Sequence, residues 1–414
     1  MQCHRAQLYA INTYGLVIHE FDPWFNYRAT EYLDDNGWTA FFHWFDHESW
    51  YPLGRPVGTT IYPGMQIASV TIKNTLNAVG YEISLNDVCC YVPCWGGVAA
   101  TFFMWLWAWE CSGSANAGVI SALIFSIVPA HIMRSVGGGY DNESVAMTCM
   151  MMTFYFWVRA LRGASKDPTK LTTDAKVWGV LAGIGYIFMA AAWGGYVFVL
   201  NMIGVHAGVL VLLGKFTPSL HMAYSLFYVI GTIGAMQVPV IGWTPLKSLE
   251  QLPAFAVFGG LCLLEFCRRI QENKKFSYFE LQKLRLKVFG VAACLAIAVI
   301  SALAPTGFFG PISSRIRSLF VAHTRTGNPL VDSVAEHQPA SASAYWQYLY
   351  NLVYLAPIGF GFTLYPFTEG KVFLWSYASV AYYFSLKMAR LIILIGQWSK
   401  QTNPLSNQES ARGH

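Results

Sequence analysis

Charge is scarce in these 414 residues. Only 12% are Asp, Glu, Lys or Arg, where soluble domains carry about a quarter, and the shortage excludes an ordinary soluble enzyme. Paired cysteine spacings are missing as well. The nine cysteines fall mostly inside apolar runs (Cys89, Cys90, Cys94, Cys149, Cys262, Cys267, Cys294), which excludes a disulfide scaffold or a zinc ribbon and leaves small packing residues in helices. No internal repeat or low-complexity tract is evident. The apolar stretch 8–18 lacks a small-residue cleavage site and is too short to cross a bilayer, so it reads as a partial first helix or an interfacial piece. What is abundant is apolar mass: 55% hydrophobic residues, 16% aromatic and a mean hydropathy of +0.38. The bilayer is the solvent for such a chain.

A crossing helix needs about 20 apolar residues. Candidates run near 88–109, 115–133, 144–158, 177–193, 194–213, 222–243, 252–267, 288–304, 345–365 and 372–396. The expected fold is therefore an all-α, multi-pass membrane helix bundle of about ten spans. Two loops are basic: 159–176, with Arg159, Arg162, Lys166, Lys170 and Lys176, and 268–287, with Arg268, Arg269, Lys274, Lys275, Lys283, Arg285 and Lys287. The positive-inside rule puts both in the cytoplasm. The modest net charge of +5 thus speaks of membrane orientation and not of nucleic acid. Residues 397–414 lose hydrophobic periodicity and read as a disordered tail.

Acids beside a membrane are costly unless paired, hydrated or holding a cation, so their positions carry information. Three clusters fall on the noncytoplasmic face when spans are counted from the basic loops: Glu20 and Asp22, Asp141 and Glu143, and Asp332 and Glu336. Pro23 disfavours a helix continuing through Asp22. Asp141 and Glu143 follow a glycine turn (Gly137, Gly138, Gly139). As hard oxygen donors they suit Mg²⁺ or Mn²⁺; alternatively they only cap a helix starting near Ser144. Arg390 lies within the last expected span, where a cation implies an anionic ligand or snorkels to the interface. Arg134 faces a similar choice between a role beside Asp141 and contact with lipid headgroups. His43 and His47, with Asp46 and Glu48, mimic a zinc pair, but an aromatic interfacial stretch explains them equally. Asn142-Glu143-Ser144 spells a glycosylation sequon, and its position against a span disfavours modification.

Several of these residues sit in longer signatures: VIHEFDPWFNYRATEYL (17–33), WYPLGRPVGTTIYPG (50–64), RSVGGGYDNE (134–143), WGGYVF (193–198), SVAEHQP (333–339) and MARLIIL (388–394). In content and order they resemble the catalytic subunit of eukaryotic oligosaccharyltransferase, over nearly the whole chain. The resemblance implies a lipid-donor glycosyltransferase of the endoplasmic reticulum membrane. Such an enzyme moves a preassembled oligosaccharide from dolichyl diphosphate to the Asn amide of Asn-X-Ser/Thr sequons, with its site facing the lumen. It implies that Asp22 is catalytic and touches both metal and acceptor, that Asp141 and Glu143 bind Mn²⁺ or Mg²⁺, and that Glu336 holds the acceptor amide together with Asp22. Arg390 would meet the lipid diphosphate, and Arg134 would be a catalytically important arginine.

The implied partners are the dolichyl-diphosphate oligosaccharide, an acceptor polypeptide, membrane lipids and other oligosaccharyltransferase subunits. The implied organisation has a partial first helix and first luminal loop with the catalytic Asp (1–87) and a transmembrane bundle with the acidic motif (88–304). A large luminal loop with Glu336 (305–344), the last spans (345–396) and the tail follow. Three departures accompany the resemblance: the first helix is incomplete, Ser144 stands where the family motif usually has glycine, and no Trp-Trp-Asp tripeptide of an acceptor-selecting luminal domain occurs. The chain is therefore expected to be a truncated gene model or a splice product, weak or inactive alone. Two rival readings remain: a noncatalytic membrane component that retains lipid or subunit binding, and a transporter. The transporter reading calls for acids within several spans, whereas most acids here lie in loops.

Overall fold

The computed structural model describes residues 6–164, 169–274, 277–309, 339–363 and 368–394. Glu336 and the tail 397–414 lie outside the described residues. Among the described residues the architecture is helical, with one isolated antiparallel bridge between Asp46 and Arg55. The principal helices are α1 (Phe21–Phe42), α2 (Gly64–Ala78), α3 (Leu85–Ser112), α4 (Ala115–Ile127), α5 (Asn142–Ala160), α6 (Thr173–Ala192) and α7 (Tyr196–Leu212). They continue as α8 (Pro218–Met236), α9 (Leu252–Lys274), α10 (Tyr278–Leu303), α11 (Ala342–Leu349), α12 (Leu352–Thr363) and α13 (Glu369–Lys387).

Local chemistry sets the ends. Ser84, Ser114, Thr172, Thr217, Ser277 and Thr368 each accept a first-turn N–H at the start of α3, α4, α6, α8, α10 and α13, satisfying a donor that has no partner within the helix. At Ser277 the cap is reciprocal, since Glu280 accepts the N-cap N–H. Pro23 does not interrupt the chain near Asp22 as the sequence suggested. It occupies the first turn of α1, where no intrahelical N–H is required of it.

The centre is α5, α6 and α8, with α3 on the far side of α5. Small residues allow close approach: a Cβ added at Gly179 would sit 3.1 Å from Ala223, and one at Gly185 would sit 2.9 Å from the Thr153 hydroxyl. This fits helix association in lipid, where van der Waals packing replaces the hydrophobic drive. Trp107, Trp157, Tyr186, Tyr224, Phe227, Phe373 and Tyr377 fill the interior.

Among the described residues, four helices are long and apolar enough to cross a membrane: Leu85–Ser112, Thr173–Ala192, Pro218–Met236 and Tyr278–Thr306. Three more, Ala115–Ile127, Tyr196–Leu212 and Leu352–Thr363, are apolar but short. Two expected spans are broken. The stretch 345–365 divides at Tyr350, whose φ is 52°. The stretch 372–396 ends as a helix at Lys387, after which Met388 is extended. In α10, Leu281 alone is buried, and the part from 288 to 303 is apolar on every face, the composition of a membrane span.

Candidate active site

The site grows from the glycine turn that precedes α5. Gly138 has φ +87°, and a Cβ there would lie 2.4 Å from the Val17 carbonyl oxygen, so only glycine lets the turn and the N-terminal strap touch. The His19 N–H donates to Gly138 O (3.1 Å), and the His19 ring Nε2–H donates to Gly137 O (3.2 Å). One helical turn into α1, Asn26 Nδ2 donates to Tyr140 O (3.2 Å). Asp22 lies between these two anchors to the same turn. Its position four residues before Asn26 puts it on the same helical stripe, and it is exposed.

After the turn, Asp141 caps α5, its Oδ1 accepting the Asn142 N–H at 2.7 Å. Glu143 follows in the first turn and is buried. Asp141 therefore caps the helix, as one reading of the pair expected, with Glu143 beside it in the first turn. Two arginines converge on Glu143. Arg390 donates from Nε (2.9 Å) and Nη2 (2.5 Å) to Oε1. Arg134 Nε lies 2.9 Å from Oε2 but out of line for a hydrogen bond, and Arg134 Nη1 lies 4.0 Å from Asp141 Oδ2. Burial pushes the Asp141 carboxyl up to about 6, and the charge of Glu143 adds to this, against the Asn142 N–H and the two arginines.

Arg390 is 247 residues from its partner. It arrives by a fold-back: α13 stops at Lys387, Ala389–Leu391 makes a 3₁₀ turn, and the Tyr377 hydroxyl donates to Leu394 O (3.0 Å), pinning the returning segment along α13. The start of α13 is held by His206, whose Nδ1 accepts the Trp157 indole N–H (2.9 Å) while Nε2–H donates to Glu369 O (3.0 Å). An apolar cleft lined by Met147, Met150, Trp193, Leu391 and Leu394 opens beside the Glu143–Arg390 pair.

Of the sequence-derived site residues, Arg134, Asp141, Glu143 and Arg390 are thus in one cluster, Asp22 is exposed on a segment anchored to the glycine turn through His19 and Asn26, and Glu336 lies outside the described residues. No group of three or more His, Cys, Asp or Glu side chains converges among the described residues. The donor chemistry nevertheless suits a hard cation, because Glu143 Oε2 is buried without an aligned donor and Asp141 supplies a second carboxylate beside it. The His43–His47 region is built differently from a zinc pair. Asp46 is taken by Arg28 (3.0 Å) and the Ser49 hydroxyl (2.5 Å), and His43 Nδ1–H donates to Thr39 O (2.8 Å). Burial penalises the Asp46 carboxylate, but these donors and the Glu48 N–H outweigh it and hold its pKa below the usual value. Sequence reasoning missed the buried polar set Asn26, Thr30, Gln66 and Ser69 around Tyr140. Its trace was the Asn26–Thr30 spacing of four in an aromatic helix.

Comparison with known proteins gives this cluster a context. The family model described as "Oligosaccharyl transferase STT3, N-terminal" matches residues 2–398. The STT3 subunit of dolichyl-diphosphooligosaccharide–protein glycosyltransferase from Dictyostelium discoideum is 36% identical over 395 residues, covering 94% of this chain and 53% of that protein. The Saccharomyces cerevisiae subunit is 35% identical over 397 residues, with coverages of 94% and 53%. Among solved structures, the apo oligosaccharyltransferase of Archaeoglobus fulgidus superposes with a TM-score of 0.74 at 18% identity, covering 98% of this chain and 48% of that one. The same organism's AglB, in complex with an inhibitory peptide and a dolichol-phosphate, gives 0.72 at 17% identity, with coverages of 98% and 49%. The chain spans about half the length of the curated relatives it matches. With a family match along nearly its whole length and relatives above one-third identity, the chain belongs to the oligosaccharyl transferase STT3 family.

Proposed function

We propose that this chain carries the donor- and metal-binding part of an oligosaccharyltransferase, which transfers a preassembled glycan from a dolichyl diphosphate to the Asn amide of Asn-X-Ser/Thr sequons. The observation that carries the reading is the Arg390–Glu143–Arg134 cluster, in which a cationic group from the far end of the chain reaches the acidic motif at the head of an apolar cleft. A polyprenyl diphosphate calls for both chemistries, apolar side chains for its lipid end and a guanidinium for its headgroup.

In the proposed mechanism Arg390 binds a diphosphate oxygen and orients the donor. Asp22 and Glu336 accept the two N–H bonds of the acceptor amide, whose lone pair is otherwise delocalised, and turn the nitrogen toward the sugar carbon. The C–N bond forms as the C–O bond to diphosphate breaks, and the proton leaving nitrogen passes to a carboxylate. Asp141 and Glu143, with Asp22, would hold Mn²⁺ or Mg²⁺, whose contribution is to offset charge on the departing diphosphate. Arg134 keeps Glu143 oriented. The same reading has about ten crossings, an endoplasmic reticulum location, both basic loops cytoplasmic, the site luminal, and further subunits as partners.

The test is transfer of lipid-linked glycan to an Asn-X-Thr peptide by membranes containing these residues in the context of a full-length STT3-family subunit. Chelation is expected to abolish transfer and Mn²⁺ to restore it, while Asp22→Ala, Glu336→Ala and Arg390→Ala each remove it. Transfer that survives both Asp22→Ala and Glu336→Ala would sink the assigned roles. Donor binding without transfer would favour the noncatalytic alternative.

A further inference from the structure

The buried hydroxyl of Tyr140 ties together three elements that the proposed chemistry needs in register. Tyr140 is fully buried and directly precedes Asp141. Its Oη lies 2.9 Å from the Thr30 hydroxyl on α1 and 2.7 Å from the Ser69 hydroxyl on α2, both with zero exposure. Its carbonyl accepts the Asn26 amide (3.2 Å), and Asn26 Oδ1 in turn accepts from Gln66 of α2 (3.4 Å). One residue is thus clasped at both its backbone and its side chain. On one side is the helix that presents Asp22; on the other, the cap that presents Asp141 and Glu143.

Proton bookkeeping shows how the clasp is shared. Thr30 also donates to Asn26 O (2.8 Å) and Ser69 to Met65 O (2.9 Å). Three hydroxyl protons are thus shared among these four contacts, with the Cys89 thiol also against the Tyr140 and Ser69 hydroxyls. Replacing Tyr140 by Phe leaves Thr30 and Ser69 each donating to its own helix carbonyl. No hydroxyl is stranded in the interior, and the bundle is expected to fold while the connection between α1 and the glycine turn is lost.

We propose that Tyr140 is a positioning residue: through Asn26, Thr30 and Ser69 it fixes the distance between Asp22 and the Asp141–Glu143 pair, and so the geometry in which these carboxylates can share a cation. This rests on the metal reading given above. The test is hydrogen exchange of the whole chain in nanodiscs, paired with Mn²⁺ binding followed by electron paramagnetic resonance. In Tyr140→Phe, amides of 19–30 and 138–142 are expected to exchange about tenfold faster, as for loss of one buried hydrogen bond, with α6 and α8 unchanged. The Mn²⁺ dissociation constant is expected to rise several-fold. Adding Thr30→Val and Ser69→Ala to Tyr140→Phe should do no further harm, because the three act as one unit.

Exchange at the wild-type rate in both segments, or effects that simply multiply, would overturn the clasp. Faster exchange with unchanged Mn²⁺ affinity would overturn the positioning role and leave a packing one. If the wild-type chain bound no Mn²⁺, the metal reading itself would fail, and exchange would still decide whether Tyr140 couples the two segments. Should Tyr140→Phe loosen the whole chain, Ser69→Ala alone, which keeps the Thr30 contact, is expected to give a smaller acceleration confined to the same segments.

Discussion

Replacing Glu143 by Gln tests the charge arrangement directly. Guanidiniums on opposite oxygens of one carboxylate lie roughly 6 Å apart, and at an effective dielectric of about 20 their repulsion is about 3 kcal/mol. Glu143 now offsets that repulsion from within the cluster, with a side chain 5% exposed against 17% for Arg134 and 33% for Arg390. The amide of Gln keeps the shape and removes the charge, so Arg390 loses the carboxylate it bonds and Arg134 is left with Asp141 at 4.0 Å. Partial solvent access to Arg390 screens some of the loss, and the expected cost is about 2–3 kcal/mol. Arg390→Gln leaves Glu143 facing Arg134 and should cost about 1 kcal/mol. The double variant removes the repulsion and should be more stable than Glu143→Gln alone, a coupling that a double-mutant cycle reads directly. Thermal unfolding in detergent, followed by tryptophan fluorescence, gives the comparison, with a fall of roughly 3–5 °C for Glu143→Gln. If Glu143→Gln proves no worse than Arg390→Gln, the two arginines do not share that carboxylate.

Further outcomes follow from the same geometry. Asp141 has its folded-state pKa raised from 3.8 to about 6, so its contribution to stability is fully present below 3.8 and is lost as pH rises through about 6. In EDTA the unfolding midpoint of the wild type should therefore fall between pH 4 and 7 relative to Asp141→Asn, which retains the cap; parallel profiles would contradict this. Gly138→Ala should destabilise by about 2–3 kcal/mol, because it adds a positive-φ penalty to a backbone clash. Gly139→Ala, whose nearest neighbour is at 3.3 Å, should be milder in the same unfolding assay. His206→Phe deprives the Trp157 indole and the Glu369 carbonyl of their shared partner and should cost about 2 kcal/mol in the same measurement.

The helical class was legible from hydropathy alone, because a 28-residue apolar helix such as α3 leaves no competing period. Helix breaks were not. Tyr350 and Met388 interrupt apolar runs without Pro or Gly at the break, and tertiary contacts such as Tyr377 with Leu394 decide them. The charged residues of the site were readable because charge in lipid is costly, and the acids at 141 and 143 stood out against their surroundings. That Arg390 meets Glu143 was not readable from spacing, since nothing local connects residues 247 apart. The Tyr140 clasp escaped for a related reason: Thr, Ser and Asn in a membrane chain are individually unremarkable, and only their convergence on one tyrosine, at its hydroxyl and its carbonyl, distinguishes them.

The fold-back after Lys387 has a consequence for how this region tolerates change. Inserting one residue within a continuous helix swings every later side chain by about 100°, which would carry a guanidinium to the wrong face altogether. In a short tether of one extended residue and a 3₁₀ turn, the same insertion shifts the tip by a few ångströms. The reach of Arg390 toward Glu143 can therefore be retuned by small length changes near 388–390, without rebuilding the packed interior on which the tether is mounted.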